Sequence, residues 1–129
     1  MRDRKEMGSL ELAYLGDAVY ELEVRKHLLE NDWGSPGEMN RKALFYVTAE
    51  AQARAAEKVL PFLTEEEEAV FRRGRNAHPK AAPKHADPGE YALATGLEAL
   101  FGFLSLGGEG ERIACLFALC RGALEEEKV

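Results

Sequence analysis

At 129 residues, with 46% apolar and 31% charged residues, the chain is long enough to bury a core and too apolar to be disordered. Its 17 Lys and Arg against 23 Asp and Glu leave a net charge of −6, which argues against whole-surface attraction to nucleic acid. No apolar run approaches the roughly 20 residues that span a bilayer, and no apolar stretch of a secretory signal follows Met1-Arg2-Asp3-Arg4-Lys5-Glu6, so no membrane association is expected.

Nearly every segment predicts helix. Ser9 is placed to cap a first helix running to about Glu30, with Leu12, Leu15, Val19, Leu22 and Leu29 near a period of 3.6. Within it Asp17 lies among Leu15, Ala18, Val19 and Leu22, where a buried carboxylate needs a charge partner or a metal ion. Asn31-Asp32-Trp33-Gly34 closes that helix, and Trp33 is expected to pack over its end. Ser35-Pro36-Gly37-Glu38 then supplies a cap, a proline at the first helical position and a glutamate three after the cap. The helix it opens runs through Leu44, Phe45 and Val47 to a break at Thr48. An alanine-rich helix from Ala49 to Val59 follows and stops before Pro61. Thr64 and Glu67 form a second capping box, for a helix running toward Asn76.

From Ala77 to Asp87 the prolines Pro79 and Pro83 and the lack of periodicity predict a loop. It is long for a small helical domain, and such loops are often functional. Asp87-Pro88-Gly89-Glu90 is a third start signal, for a helix that reaches about Leu106 and ends at Gly107-Gly108. A last helix covers roughly Glu111 to Glu126, and nothing alternates with period two over a useful length. The expectation is a single all-α domain over residues 1–129, a bundle of six or seven helices. Cys115 and Cys120 sit in an apolar helical pattern with neither disulfide-framework nor zinc spacing. They read as buried core thiols suited to a reducing cytoplasm.

Charge is unevenly placed. From Phe71 to His85 come Arg72, Arg73, Arg75, Lys80 and Lys84 with no Asp or Glu, directly after the acidic run Glu65-Glu66-Glu67-Glu68. On a shared helix, at least one of Arg72 and Arg73 is expected to pair with Glu65 or Glu68. His78 and His85 flank a proline-containing loop without zinc spacing and read as surface residues, while His27 reads as partly exposed. Asp17 and Glu21 share one helix face, and Glu98 must reach them from another helix. Hard cations such as Mg²⁺ take oxygen ligands at about 2.1 Å, and carboxylates from facing helices of a bundle can supply them.

Leu12-Ala13-Tyr14-Leu15-Gly16-Asp17-Ala18-Val19 resembles the signature helix of the ribonuclease III family, whose core reads Phe-Leu-Gly-Asp-Ala-Val. Ala94-Thr95-Gly96-Leu97-Glu98-Ala99-Leu100-Phe101-Gly102 resembles the family's second acidic helix, which carries a metal-binding glutamate. Met39-Asn40-Arg41-Lys42-Ala43 and Tyr46-Val47-Thr48-Ala49-Glu50-Ala51-Gln52-Ala53 look like its intervening helices, so the resemblance spans about residues 9 to 122. Phe71-Arg72-Arg73-Gly74-Arg75-Asn76-Ala77 with Pro83-Lys84 looks like the family's short form, a catalytic domain without the appended double-stranded-RNA-binding domain. A chain stopping at Val129 is expected to leave no room for that domain. The larger enzymes have a glutamate where this chain has Ala13 and an aspartate where it has Thr95. Of the four family carboxylates Asp17 and Glu98 remain, so metal affinity is expected to fall, with water or substrate phosphate completing the shell.

The resemblance implies Mg²⁺-dependent hydrolysis, with Mn²⁺ as a substitute, of phosphodiester bonds in double-stranded or structured RNA. By family analogy the substrate is precursor ribosomal RNA, at the ends of 23S. It implies Asp17 and Glu98 as catalytic metal ligands. Thr95 would hold a metal-bound water or sit as an ordinary helix-face threonine, and Glu21 would orient a ligand or, in the favoured reading, form an ion pair. Arg72, Arg73, Arg75, Lys80 and Lys84, with Asn76, would then meet the RNA backbone, and Lys84 has the fewest local partners. It further implies a symmetric homodimer, each subunit cutting one strand, with the signature helix contributing to the interface. The alternatives are a ribonuclease III-like RNA-binding module that is weakly active or inactive, given Ala13 and Thr95, and a helical protein-interaction domain without an RNA role.

Overall fold

Local capping chemistry sets most of the helix boundaries. In the computed structural model, which describes residues 2–31, 34–77 and 87–127, six α-helices follow one another: α1 (Ser9–Asn31), α2 (Pro36–Val47), α3 (Ala49–Val59), α4 (Glu65–Arg75), α5 (Pro88–Leu106) and α6 (Gly110–Glu127). Short 3₁₀ turns at Arg4–Glu6 and Leu60–Phe62 complete the described elements, none of them a strand. Both predicted capping boxes form: Ser35 with Glu38 opens α2, and Thr64 with Glu67 opens α4. The Thr48 hydroxyl accepts from the Ala51 N–H and so separates α2 from α3, while Asp87 caps α5 through the Glu90 N–H. One expected cap differs. Ser9 is already inside α1; the Gly8 carbonyl accepts its first helical bond, and Glu11 receives the Gly8 N–H at 3.0 Å.

Helix α5 is the axis of the bundle. Every residue from Ala94 to Leu104 is buried except Glu98, so apolar neighbours must surround it, and α1, α3, α4 and α6 do. The main core joins Tyr20, Val24 and Leu28 of α1 to Ala55 and Val59 of α3, Phe71 of α4, and Leu97, Leu100, Phe101 and Leu104 of α5. Leu116, Cys120 and Leu124 of α6 close it. Tyr20 meets Phe101 and Phe117 edge-on, with ring centroids 5.2 and 5.5 Å away. Each large side chain so buried stabilises the fold by about 1.5–3 kcal/mol.

Two polar clamps tie the ends together. Arg112 at the start of α6 donates twice to buried Glu67, at 2.8 Å each, and once to the Phe62 carbonyl. Arg4 lies 3.9 Å over the Phe103 ring and donates to both the Phe103 carbonyl and Glu109. The α5–α6 turn passes through Gly108 at φ 67°, a conformation that suits glycine.

Burial corrects three sequence expectations. The inner face of α1 is Leu12, Ala13, Gly16, Tyr20, Val24 and Leu28, not the leucine stripe; Leu22 and Leu29 are 51% and 73% exposed. Asp17 is exposed rather than buried. Of the two cysteines only Cys120 is a core thiol, its pKa pushed up to about 12 by burial, whereas Cys115 is exposed on α6. His27 is partly exposed, as expected, with its ring edge-on to Tyr46 and Phe117. Trp33, His78 and His85 lie outside the described residues.

Candidate active site

The site begins with two glycines. Where α1 crosses α5, Gly16 and Gly102 bring the two backbones into contact. A Cβ on Gly16 would stand 1.6 Å from the Glu98 carbonyl oxygen, and one on Gly102 2.0 Å from the Leu12 carbonyl oxygen. Only residues without side chains allow so close an approach. Asp17 follows Gly16 and therefore emerges at the crossing, facing Glu98.

The two carboxyl groups share this spot unequally. Asp17 is open to solvent, and Glu98 is half-buried in the otherwise apolar surface of α5. Burial raises the Glu98 carboxyl to about 8, with further contributions from its hydrogen bond with Asp17 and from the Asp17 charge. Burial and the neighbouring Asp17 carboxyl thus both favour the protonated form of Glu98. The burial cost that sequence reasoning assigned to Asp17 falls on Glu98, because α5 is enclosed on all sides and α1 is not.

Other predicted site residues take more ordinary positions. Glu21 accepts from Arg25 at 2.8 Å, the ion pair favoured from the sequence. Thr95 is buried, and its hydroxyl donates back to the Tyr91 carbonyl at 2.9 Å. Among the described residues no group of three or more His, Cys, Asp or Glu converges, so Asp17 and Glu98 stand as a pair.

The basic segment starts close by. Gly74 of α4 packs on α5 at Gly96 and Ala99, and a Cβ there would lie 3.2 Å from the Thr95 carbonyl oxygen. The C-terminal end of α4 and the Gly16 turn of α1 therefore occupy neighbouring faces of one stretch of α5, residues 95 to 102. That end carries Arg72, Arg73, Arg75 and Asn76, where cations also suit the helix dipole. Arg72 pairs with Glu68, as expected for one of these arginines. Arg73 is exposed with no ion pair among the described residues, and Arg75 Nε donates to Asn76 at 3.5 Å. Lys80 and Lys84 lie outside the described residues.

Sequence reasoning missed the glycines of the crossing and the exposure of Tyr14. The signal for the first was present as Gly16 beside Asp17 and Gly102 four residues after Glu98. Tyr14 is 86% exposed and, with Leu10, Ala18 and Leu22, lines the outer side of α1.

An all-α domain with an acid pair beside a basic helix end suits binding and cutting of a phosphodiester backbone. A family model described as "Ribonuclease III domain" matches residues 10–109. The chain belongs to the ribonuclease III family and is an endoribonuclease of that class. Its relatives include the Mini-ribonuclease 3 of Symbiobacterium thermophilum, 53% identical over 105 residues and covering 81% of each chain. The Mini-ribonuclease 3 of Enterococcus faecalis is 43% identical over 122 residues, 93% of this chain and 92% of that one. A crystal structure of a Fusobacterium nucleatum protein superposes with a TM-score of 0.81 at 33% identity, covering 92% of this chain and 95% of that chain.

Proposed function

We propose that this protein hydrolyses phosphodiester bonds of double-stranded or structured RNA, with Asp17 and Glu98 holding Mg²⁺, or Mn²⁺ in its place. The observation that carries the reading is the meeting of the Asp17 and Glu98 carboxyl groups at the α1–α5 crossing, where Gly16 packs on the Glu98 backbone. Two acids placed side by side repel when ionised, and a divalent cation between them can offset that charge. The donor set fits a hard cation, being all oxygen and open to solvent on the Asp17 side. With only two protein carboxylates, further ligands would have to come from water or substrate phosphate.

A bound Mg²⁺ supplies Lewis-acid polarisation of the phosphate and makes a water easier to deprotonate. Glu98 would hold the cation as a carboxylate from its half-buried position on α5. Asp17 offers its carboxylate from the open side. Arg73, Arg75 and Asn76, with Lys80 and Lys84, hold the RNA phosphates, and Arg72 joins them by exchanging its exposed Glu68 pair, worth about 0.5 kcal/mol. Thr95 and Glu21 support the site through their helices, Thr95 by its bond to Tyr91 and Glu21 by its bond to Arg25.

A duplex has two strands, and one acid pair cuts one of them. The reading therefore includes a two-fold homodimer, with the exposed Tyr14, Leu10 and Leu22 of α1 in its interface. The proposed substrate is precursor ribosomal RNA, cut at the ends of 23S, in the cytoplasm. The test is incubation of duplex RNA with the purified protein, with Mg²⁺ and with a chelator. Cleavage only with the cation, lost in Asp17→Asn and Glu98→Gln, is the expected outcome; metal-independent cleavage, or none, overturns the reading.

A further inference from the structure

We propose that the Gly16–Gly102 contact is a positioning device. It sets the gap between the Asp17 and Glu98 carboxyl groups and thereby the affinity of the pair for a divalent cation. This rests on the metal reading of that pair and adds what tunes it. Gly16 touches the backbone of Glu98 itself, and Gly102, one turn further along α5, meets the Leu12 carbonyl. Both contacts are backbone against backbone, so no side-chain rotation can relieve an added methyl group. Alanine at either position pushes α1 away from α5 by on the order of 1 Å, where functional groups must be held to about 0.5 Å.

The other tight crossing of α5 provides the control. Gly74 of α4 meets the Ala99 Cβ and the Gly96 Cα, each 2.9 Å from where its own Cβ would be. Widening that crossing moves α4, which carries neither acid. A gentler wedge also exists at the α1–α5 crossing. Ala13 is buried in a small cluster with Leu12, Val70 of α4, and Ala99 and Phe103 of α5, so Ala13→Val adds volume beside the same crossing.

The experiment is titration of Mn²⁺ into full-length protein, following free Mn²⁺ by electron paramagnetic resonance, with circular dichroism confirming the fold of each variant. Gly102→Ala and Ala13→Val are expected to weaken Mn²⁺ binding about tenfold or more, the scale of lost ligand support, while Gly74→Ala stays within about twofold despite a comparable loss of thermal stability. Wild-type affinity in folded Gly102→Ala, or in Ala13→Val if Gly102→Ala does not fold, overturns the proposal. So does equal weakening in Gly74→Ala, which would mean that the glycines only pack. Asp17→Asn is titrated alongside. If it binds Mn²⁺ as the wild type does, the metal reading itself fails, and that failure is visible without any glycine variant.

Discussion

Replacing Glu98 by glutamine removes a titrating group whose folded pKa is about 8 against an ordinary 4.5. Between those values the folded chain keeps a proton that the unfolded chain has lost. Folding therefore takes up a proton, and the stability of metal-free protein falls as pH rises from about 4.5 to about 8. At about 1.4 kcal/mol per pH unit the full shift corresponds to about 5 kcal/mol. Solvent reaches the site from the Asp17 side, which reduces the effective figure to about 2–3 kcal/mol. The glutamine amide keeps the size of the side chain and can still donate to Asp17, but it carries no pH-dependent cost. Urea unfolding in a chelator should find the two proteins of similar stability near pH 4.5. By about pH 8.5 Glu98→Gln should be more stable by about 2–3 kcal/mol. Added Mg²⁺ should restore the wild type at high pH and leave the variant unchanged, because the cation offsets the two carboxylate charges that destabilise it there. Parallel pH profiles for the two proteins would mean that Glu98 takes up no proton on folding.

Other outcomes follow from the same geometry. Asp17→Asn should keep its fold and its affinity for duplex RNA while cleavage falls by about a thousandfold or more, measured with end-labelled RNA under single-turnover conditions. Arg73→Ala should weaken duplex binding and lower the slope of log affinity against log salt by about 1, read from filter binding across salt concentrations. Glu67→Ala leaves Arg112 without its bidentate partner and should cost about 3 kcal/mol in urea unfolding, with little change in Mn²⁺ affinity. Tyr14→Asp should shift the protein toward monomer in sedimentation analysis, because a charge enters the proposed interface.

The legible parts of the fold are the local ones. Ser35 with Glu38, Thr64 with Glu67, and Asp87 act on backbone groups three residues away, so their chemistry is written in short stretches of sequence. The buried face of α1 was not legible by hydrophobicity. Gly16 faces inward because α5 approaches its backbone too closely for any side chain, and the helical phase that places it there turns Leu22 and Leu29 outward. The pairing of Asp17 with Glu98 came from resemblance to a family, since their distance along the chain says nothing of proximity. Which acid would be buried depended on the enclosure of α5, a property of four other helices together. The basic end of α4 was readable as a charge run, but its nearness to Glu98 rests on Gly74 packing at Gly96 and Ala99. Cys115 followed the apolar pattern of α6 and still fell on its outer side.

Whether Asp17 and Glu98 cut RNA through a bound cation is tested most directly by cleavage of one defined RNA duplex by wild type, Asp17→Asn and Glu98→Gln, each with Mg²⁺ and with a chelator, alongside binding of the same duplex. All three proteins should bind the duplex, and only wild type with Mg²⁺ should cut it. Undiminished cutting by either variant, or by wild type in chelator, would contradict the metal reading.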